Sequence, residues 1–256
     1  MCQNNKISVV INTYNEEKSL AEILEYVKDF DEVLVCDMES SDKTVEIARK
    51  YGCNIVSFPK DGCSIVEPAR DFAIHSAKYQ WVLVVDADEI IPAALKKYLY
   101  EYIKDDGCGD ALLIPRKNYV MNKYVENSYP DYQLRFMKQD KTKWPPIIHA
   151  RPVVDGVTDR IPSEKTELAM IHKSSTVAKE LEKMNIYTSN EIDKRPNEKI
   201  SLFKIFVKCT MRFFKSYVFK GGFRYGIRGL VYAVNAANYK FYTMIKIWEK
   251  QNENTI

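Results

Sequence analysis

Apolar and polar positions along the chain change period several times, and the changes mark its elements. Residues 7–11 are a β-branched run that predicts a buried strand, and Leu20, Ile23, Leu24 and Val27 then recur at helical spacing. Residues 33–36 predict a second strand ending on Asp37. Ser41 or Asp42 caps the following helix, which Gly52 closes. A third strand is predicted over 54–58, a helix around 69–77, and a fourth strand over 81–85 that ends on Asp86.

Strands buried on both faces and joined by helices imply an α/β fold with a doubly wound, mostly parallel sheet. Ligands of such sheets sit at the carboxyl ends of the strands, which predicts Thr13, Asp37 and Asp86 along one rim. Between 107 and about 173 the pattern breaks into short apolar pieces, 111–115 and 132–137, separated by Pro and Asn; this reads as a smaller antiparallel region. From 175 onward the period is helical, with Leu181, Met184 and Tyr187 on one face.

Composition adds little until it is divided along the chain. The 256 residues are 46% hydrophobic and 29% charged, as in an ordinary globular protein. The net charge of +3 hides an asymmetry: residues 199–250 hold eleven Lys or Arg and a single acidic residue, Glu249. Set against totals of 38 basic and 35 acidic residues, that leaves 27 and 34 elsewhere, a body at −7 beside a segment at +10. Such asymmetry points to a polyanionic partner, a nucleic acid or an anionic membrane. The six cysteines form neither a CxxC pair nor a metal-finger spacing, and the first residues lead directly into a strand instead of a signal peptide. A reduced, cytoplasmic location is therefore expected. No apolar run approaches the roughly 18–20 residues that a membrane span requires.

The first strand is followed by NTYNEE (12–17), which contains no glycine, so neither GxGxxG nor a P-loop is present. Glu16 and Glu17 would repel a diphosphate there, although they equally suit a helix N-terminus. A phosphate-bearing ligand then needs another counter-charge. The segment WVLVVDADE (81–89) delivers three carboxylates into a turn, a hard-oxygen set suited to Mg²⁺ or Mn²⁺; a helix cap with acidic first-turn residues explains the same letters.

Several segments together carry a resemblance: SVVINTYNEE (8–17), VCDMESSDKT (35–44), ARDFAI (69–74), WVLVVDADE (81–89), YPDYQLRF (129–136) and FKGGFRYG (219–226). In this order they resemble glycosyltransferase family 2, of GT-A fold, and especially the bacterial branch that builds lipopolysaccharide cores and related glycans. The resemblance implies a catalytic domain over 1–173 that binds a nucleotide-sugar together with a divalent metal ion, Mn²⁺ or Mg²⁺, and a helical, basic and aromatic extension over 174–256. It implies that Thr13 and Glu16 line the nucleotide pocket, that Asp37 faces the base and that Arg70 offsets diphosphate charge. Asp86 would reach the ribose or the metal's water shell, Asp88 would ligate the metal, and His172 would be an additional ligand. Arg70 could instead be a surface arginine, and His172 a hydrogen-bonded structural histidine.

Inverting transfer needs a carboxylate to take the acceptor proton. Asp131 is assigned that part, with Glu164 and Asp155 in reserve; Asp131 also fits a turn after Pro130. Related enzymes often carry His-Glu where this chain has His149 and Ala150, so that pair is not given a catalytic role. The implied partners are a nucleotide-sugar donor, UDP-linked by family habit, and a glycan or glycolipid acceptor. In the basic segment, Lys204, Lys208, Arg212, Lys215, Lys220, Arg224 and Arg228 are interleaved with seven aromatics. This predicts peripheral attachment to the inner face of an anionic membrane, with no nucleic acid expected. A nucleotidyltransferase, or a non-catalytic binding module, remains the alternative to a transferase.

Overall fold

The computed structural model describes residues 5–60, 66–120, 122–126, 129–147, 150–173, 177–192 and 194–252. The chain divides into two compact units, Met1–Tyr119 with Ser128–Lys173, and Val120–Asn127 with Ser174–Ile256.

The first unit is built on the alternation that the periodicity predicts. Strand β1 (Ile7–Thr13), helix α1 (Leu20–Val27), β2 (Glu32–Asp37), α2 (Thr44–Lys50), β3 (Asn54–Ser57), α3 (Glu67–Ser76) and β4 (Trp81–Val85) follow in order. After them come β5 (Glu89–Ile90), α4 (Ala93–Tyr102), β6 (Ala111–Ile114) and β7 (Arg116–Val120). β8 (Lys123–Tyr124) belongs to the second unit. The first unit ends with β9 (Gln133–Lys138), β10 (Thr142–Lys143), β11 (Val153–Val154), β12 (Thr158–Arg160) and β13 (Met170–His172).

Seven strands form the main sheet in the order β12-β6-β9-β4-β1-β2-β3. β3, β2, β1 and β4 are mutually parallel, while β9 runs antiparallel to both β4 and β6. The antiparallel pieces expected as a smaller region extend the main sheet beyond β4. This is the α/β, GT-A arrangement expected from the sequence.

Period-2 burial explains why the helices divide between two layers. Ile7, Val9 and Ile11 share one cluster with Leu20, Ile23, Leu24 and Val27 of α1 and with Leu95 and Leu99 of α4. Val10 points the other way, into a cluster with Ala69, Ala73 and Ile74 of α3. Trp81 opens β4 and stacks on Phe136 of β9 with ring centroids 4.8 Å apart, which pins the antiparallel strand to the parallel ones. α2 begins at Thr44 with Lys43 at the cap position, past both predicted caps, Ser41 and Asp42; Asp42 nonetheless accepts the Thr44 N–H at 2.9 Å. A second, smaller sheet runs β5-β13-β7, with His172 in register between Glu89 and Asn118.

The second unit contains α5 (Val177–Asn190), α6 (Leu202–Phe214) and α7 (Ile227–Asn252), with α5 and α6 each packed on α7. Ser201 caps α6 by accepting the Lys204 N–H at 3.2 Å. On α5, Met184 is buried, but Leu181 and Tyr187 are exposed, so the predicted common face is only partly covered. Between α6 and α7 lie a π-helical turn, Lys215–Phe219, and a 3-10 turn, Gly222–Tyr225. Gly221 and Gly226 reverse the chain here at φ +69° and +58°. No helix among the described residues is long and apolar enough to cross a membrane.

The turn closes on direct backbone contact. A Cβ at Gly229 would lie 1.8 Å from the carbonyl oxygen of Gly222, a distance only a backbone shift could relieve. Gly229→Ala is therefore expected to destabilise the protein by about 1–3 kcal/mol, as an overpacked core does. Gly107→Ala meets its nearest atom at an ordinary 3.4 Å and should change little. Urea unfolding followed by circular dichroism compares the two.

Candidate active site

The carboxyl ends of β1, β2 and β4 lie side by side, because Thr13 is in register with Asp37, and Ile11 with Val85. The Thr13 hydroxyl donates to Asp37 Oδ1 at 3.2 Å, and Asp37 Oδ2 accepts the Ser40 N–H at 3.0 Å. Both side chains are buried.

The loop after β1 is tied to the loop after β2 through its own backbone donors. The N–H groups of Asn15, Glu16 and Glu17 go to Ser40 Oγ (2.9 Å), Thr44 Oγ1 (2.8 Å) and Asp42 Oδ2 (3.1 Å). In return Asn15 Oδ1 accepts the Ser41 N–H at 2.8 Å. These donors are spent inside the protein instead of being offered to phosphate. Glu16 receives the Ser19 hydroxyl at 2.5 Å where α1 begins, the helix-entry role left open by its sequence position.

Beyond β4 the chain enters a network of alternating charge. Asp86 Oδ1 is bound by Arg70 at 2.5 Å and Asp86 Oδ2 by Arg135. Arg135 also reaches Glu89 Oε1 at 3.2 Å, and Arg116 reaches the same oxygen at 2.8 Å. Arg116 then binds Asp131 Oδ2 through Nε (3.0 Å) and Nη2 (2.7 Å). Glu89 has 0% exposure and also takes the Asp86 N–H at 3.1 Å. The expectation that all three carboxylates of 81–89 form one ligand set is thus corrected: Glu89 faces inward because the buried Arg135, the half-buried Arg116 and a backbone amide hold it there.

Two arginines in this network escaped the sequence reading as site residues. Arg135 had a signal, a lone cation between Leu134 and Phe136 in an apolar strand. Arg116 and Asn118 had only their i, i+2 spacing. Arg70 also stacks on the Trp144 ring, 4.9 Å from its centroid, so it is a half-buried partner of Asp86 and not a freely solvated surface arginine. Burial pushes the Asp86 carboxyl up, but Arg135 and then Arg70 outweigh it and hold it far below the usual range. Burial likewise raises Asp131, yet Asn118 and Arg116 bring it below the ordinary carboxylate value.

Asp131 accepts four bonds: the two from Arg116, one from Asn118 Nδ2 at 3.0 Å and one from Gln133 Nε2 at 2.9 Å. His172 Nδ1 lies 3.0 Å from Asn118 Oδ1, and its Nε2 lies 3.5 Å from Asp88 Oδ2. A carboxylate and an imidazole this close suit adjacent positions on a small divalent ion, where ligand atoms are about 3 Å apart. Among the described residues there is no group of three or more His, Cys, Asp or Glu that could hold a metal. Asp88 and His172 are thus at most a pair of ligands, and a metal there would need oxygens from elsewhere to complete its shell. The reserve carboxylates sit differently: Glu164 takes the neighbouring Ser163 hydroxyl at 3.3 Å, and Asp155 extends the β10–β11 pairing through its N–H to Lys141 O at 2.8 Å. His149 lies outside the described residues.

A family model described as Glycosyl transferase family 2 matches residues 8–192. An uncharacterized glycosyltransferase of Rickettsia conorii is 26% identical, the match covering 95% of this chain and 90% of that protein. The lipopolysaccharide core biosynthesis glycosyltransferase LpsC of Rhizobium meliloti is 22% identical over 95% of this chain and 92% of its own. The crystal structure of S. aureus TarS 1-349 in complex with UDP aligns with a TM-score of 0.47 at 17% identity, covering 97% of this chain and 92% of that one.

Removing one member of a buried ion network strands its partners. Arg135→Met leaves Glu89 and Asp86 without their shared cation and is expected to cost about 3–5 kcal/mol in urea unfolding. Because the folded pKa of Asp86 is depressed, its stabilisation is present above the unfolded value of about 4 and is lost as pH falls through the lowered folded value. In Arg135→Met the folded pKa of Asp86 moves back toward the unfolded value, so this acid-linked loss should be smaller and complete at a higher pH than in the wild type.

Proposed function

This chain belongs to glycosyltransferase family 2, and from that membership we propose that it moves a sugar, with inversion, from a UDP-linked donor to a glycan or glycolipid. A lipopolysaccharide core or a surface polysaccharide is the acceptor class, by similarity to LpsC. The observation that carries the reading is the meeting of Asp86 and Asp88, His172, and Asp131 from three separate segments through the contacts described above. Thr13, Glu16 and Asp37 take the nucleoside side of the rim, and Arg70 with Asp86 takes the side toward the ribose and diphosphate.

Asp88 and His172 would hold Mn²⁺ or Mg²⁺, which when bound offsets the charge of the departing diphosphate. Asp131 is the general base. Held ionised by Arg116 and Asn118, it has a lone pair for the acceptor hydroxyl across the pH range in which the enzyme works. Residues 1–173 form the catalytic domain in this reading, and 174–256 an extension that rests on the inner face of the cytoplasmic membrane.

The membrane reading is supported by exposed rings beside basic side chains. Phe203, Phe206 and Phe219 are 77%, 70% and 84% exposed, and the π-helical turn that carries Phe219 opens on Lys215 and is followed by Lys220. The basic surplus is smaller than the sequence count implies. Glu198, just outside the counted segment, binds Lys204 at 2.9 Å and Lys208 at 3.1 Å, and these bonds lower its pKa to about 2.

Hydrolysis of UDP- and GDP-sugars with Mn²⁺ or Mg²⁺ tests the donor and the metal without knowledge of the acceptor. UDP-sugar turnover that requires the ion is expected, and Asp88→Asn should reduce it by about 10²–10³-fold. Asp131→Asn should lower turnover while donor affinity stays nearly constant, since a general base acts only in the transition state. Turnover in Asp88→Asn equal to wild type at limiting Mn²⁺ would remove the metal from the reading.

Flotation with anionic vesicles tests the extension. Binding should weaken with salt, screened over about 8 Å at physiological strength, but a salt-resistant part should remain. Replacing Phe203, Phe206 and Phe219 with Ser should abolish that part while circular dichroism stays unchanged, because these rings are already exposed. A folded triple variant that still floats in high salt rules out ring insertion.

A further inference from the structure

One side chain, Asn118 on β7, touches both halves of the candidate chemistry. We propose that Asn118 is a positioning residue that sets the tautomer of His172 from the charge state of Asp131, and so leaves His172 Nε2 as a lone-pair donor beside Asp88. The inference rests on the reading of Asp88 and His172 as a metal pair and of Asp131 as the base.

The argument is one of donors and acceptors. An ionised carboxylate only accepts, so the atom of Asn118 that meets Asp131 Oδ2 at 3.0 Å must be the NH₂ group. The amide has one orientation that satisfies this, and it turns Oδ1 toward His172 Nδ1 at 3.0 Å. A carbonyl oxygen accepts, so Nδ1 carries the ring hydrogen. In the neutral ring Nε2 is then bare and faces Asp88 Oδ2 at 3.5 Å.

Two acceptor atoms this close repel unless a cation or proton lies between them. The arrangement is therefore prepared for a positive ion before one arrives. β13 holds it in place on both sides: His172 is in register with Asn118 on β7 and with Glu89 on β5, and the Lys173 N–H donates to the Asp88 carbonyl at 2.8 Å. A carbonyl or carboxylate behind a metal-binding histidine commonly fixes its ring in this way, and its loss lowers metal affinity by about 10–100-fold.

The test reads the ring and the ion separately. In metal-free wild-type protein, ¹⁵N NMR of His172 should show the Nδ1–H tautomer; Asn118→Ala should give a mixture and weaken Mn²⁺ binding, measured by calorimetry, by about 10–100-fold. Asn118→Asp still offers an acceptor to Nδ1–H but sets a like charge against Asp131. It should therefore keep the tautomer and Mn²⁺ affinity while sugar-donor turnover falls. An Nε2–H tautomer in the wild type, or Asn118→Ala that is folded and binds Mn²⁺ like the wild type, overturns the proposal. Wild-type protein that shows the Nδ1–H tautomer but binds no Mn²⁺ removes the metal reading instead, and Asn118 then only orients the ring.

Discussion

The Glu89 carboxylate, wholly shielded from solvent, lies between the guanidinium groups of Arg116 and Arg135, and each of those cations carries a second carboxylate outward. Taking such ions out of water costs several kcal/mol apiece, recovered only where geometry is good and the remaining donors find acceptors. Here the recovery is incomplete, because the buried Nε atoms of Arg70 and Arg135 lack a hydrogen-bond partner. A network of this kind adds little stability over apolar packing. What it does is fix distances: Asp86 at the end of β4 and Asp131 before β9 are held through a common buried anion, although 45 residues separate them in the sequence.

That constraint also explains which parts of the molecule were legible in the sequence. Strands β1, β2 and β4 are buried on both faces, so their apolar runs announced them, and the polar residues at their ends marked the rim. α1 was equally plain, since its four apolar positions are all buried. The paired arginines were not, because ion pairs between residues 27 to 49 positions apart leave no local period. Glu89 looked like a ligand because a carboxylate beside two others carries no mark of the direction its side chain takes. On α5 the same limit shows in reverse: Leu181, Met184 and Tyr187 share a helical face, but only Met184 is covered.

The second unit combines tight backbone packing with exposed aromatic rings. The Gly222–Gly229 contact brings the 3-10 turn against the start of α7 closely enough that no side chain fits between them. Large apolar groups in this unit are correspondingly directed outward, on Phe203, Phe206 and Phe219. The ion pairs around Glu198 show that a count of basic residues overstates the field such a surface presents, since a single acid outside the counted window takes two lysines.

The interlocked loops after β1 and β2 bear on how this rim could change over time. Where a nucleotide is gripped by backbone amides, the loop must keep its glycines, and most substitutions are closed to it. Here Ser40, Asp42 and Thr44 already occupy those amides. The loop's shape is thus set without the ligand, which lowers the ordering cost of binding. In the proposed reading it also leaves side chains at the strand ends to contact the nucleotide, and these can be exchanged one at a time while the loop keeps its course. Drift in donor preference is then separable from collapse of the loop.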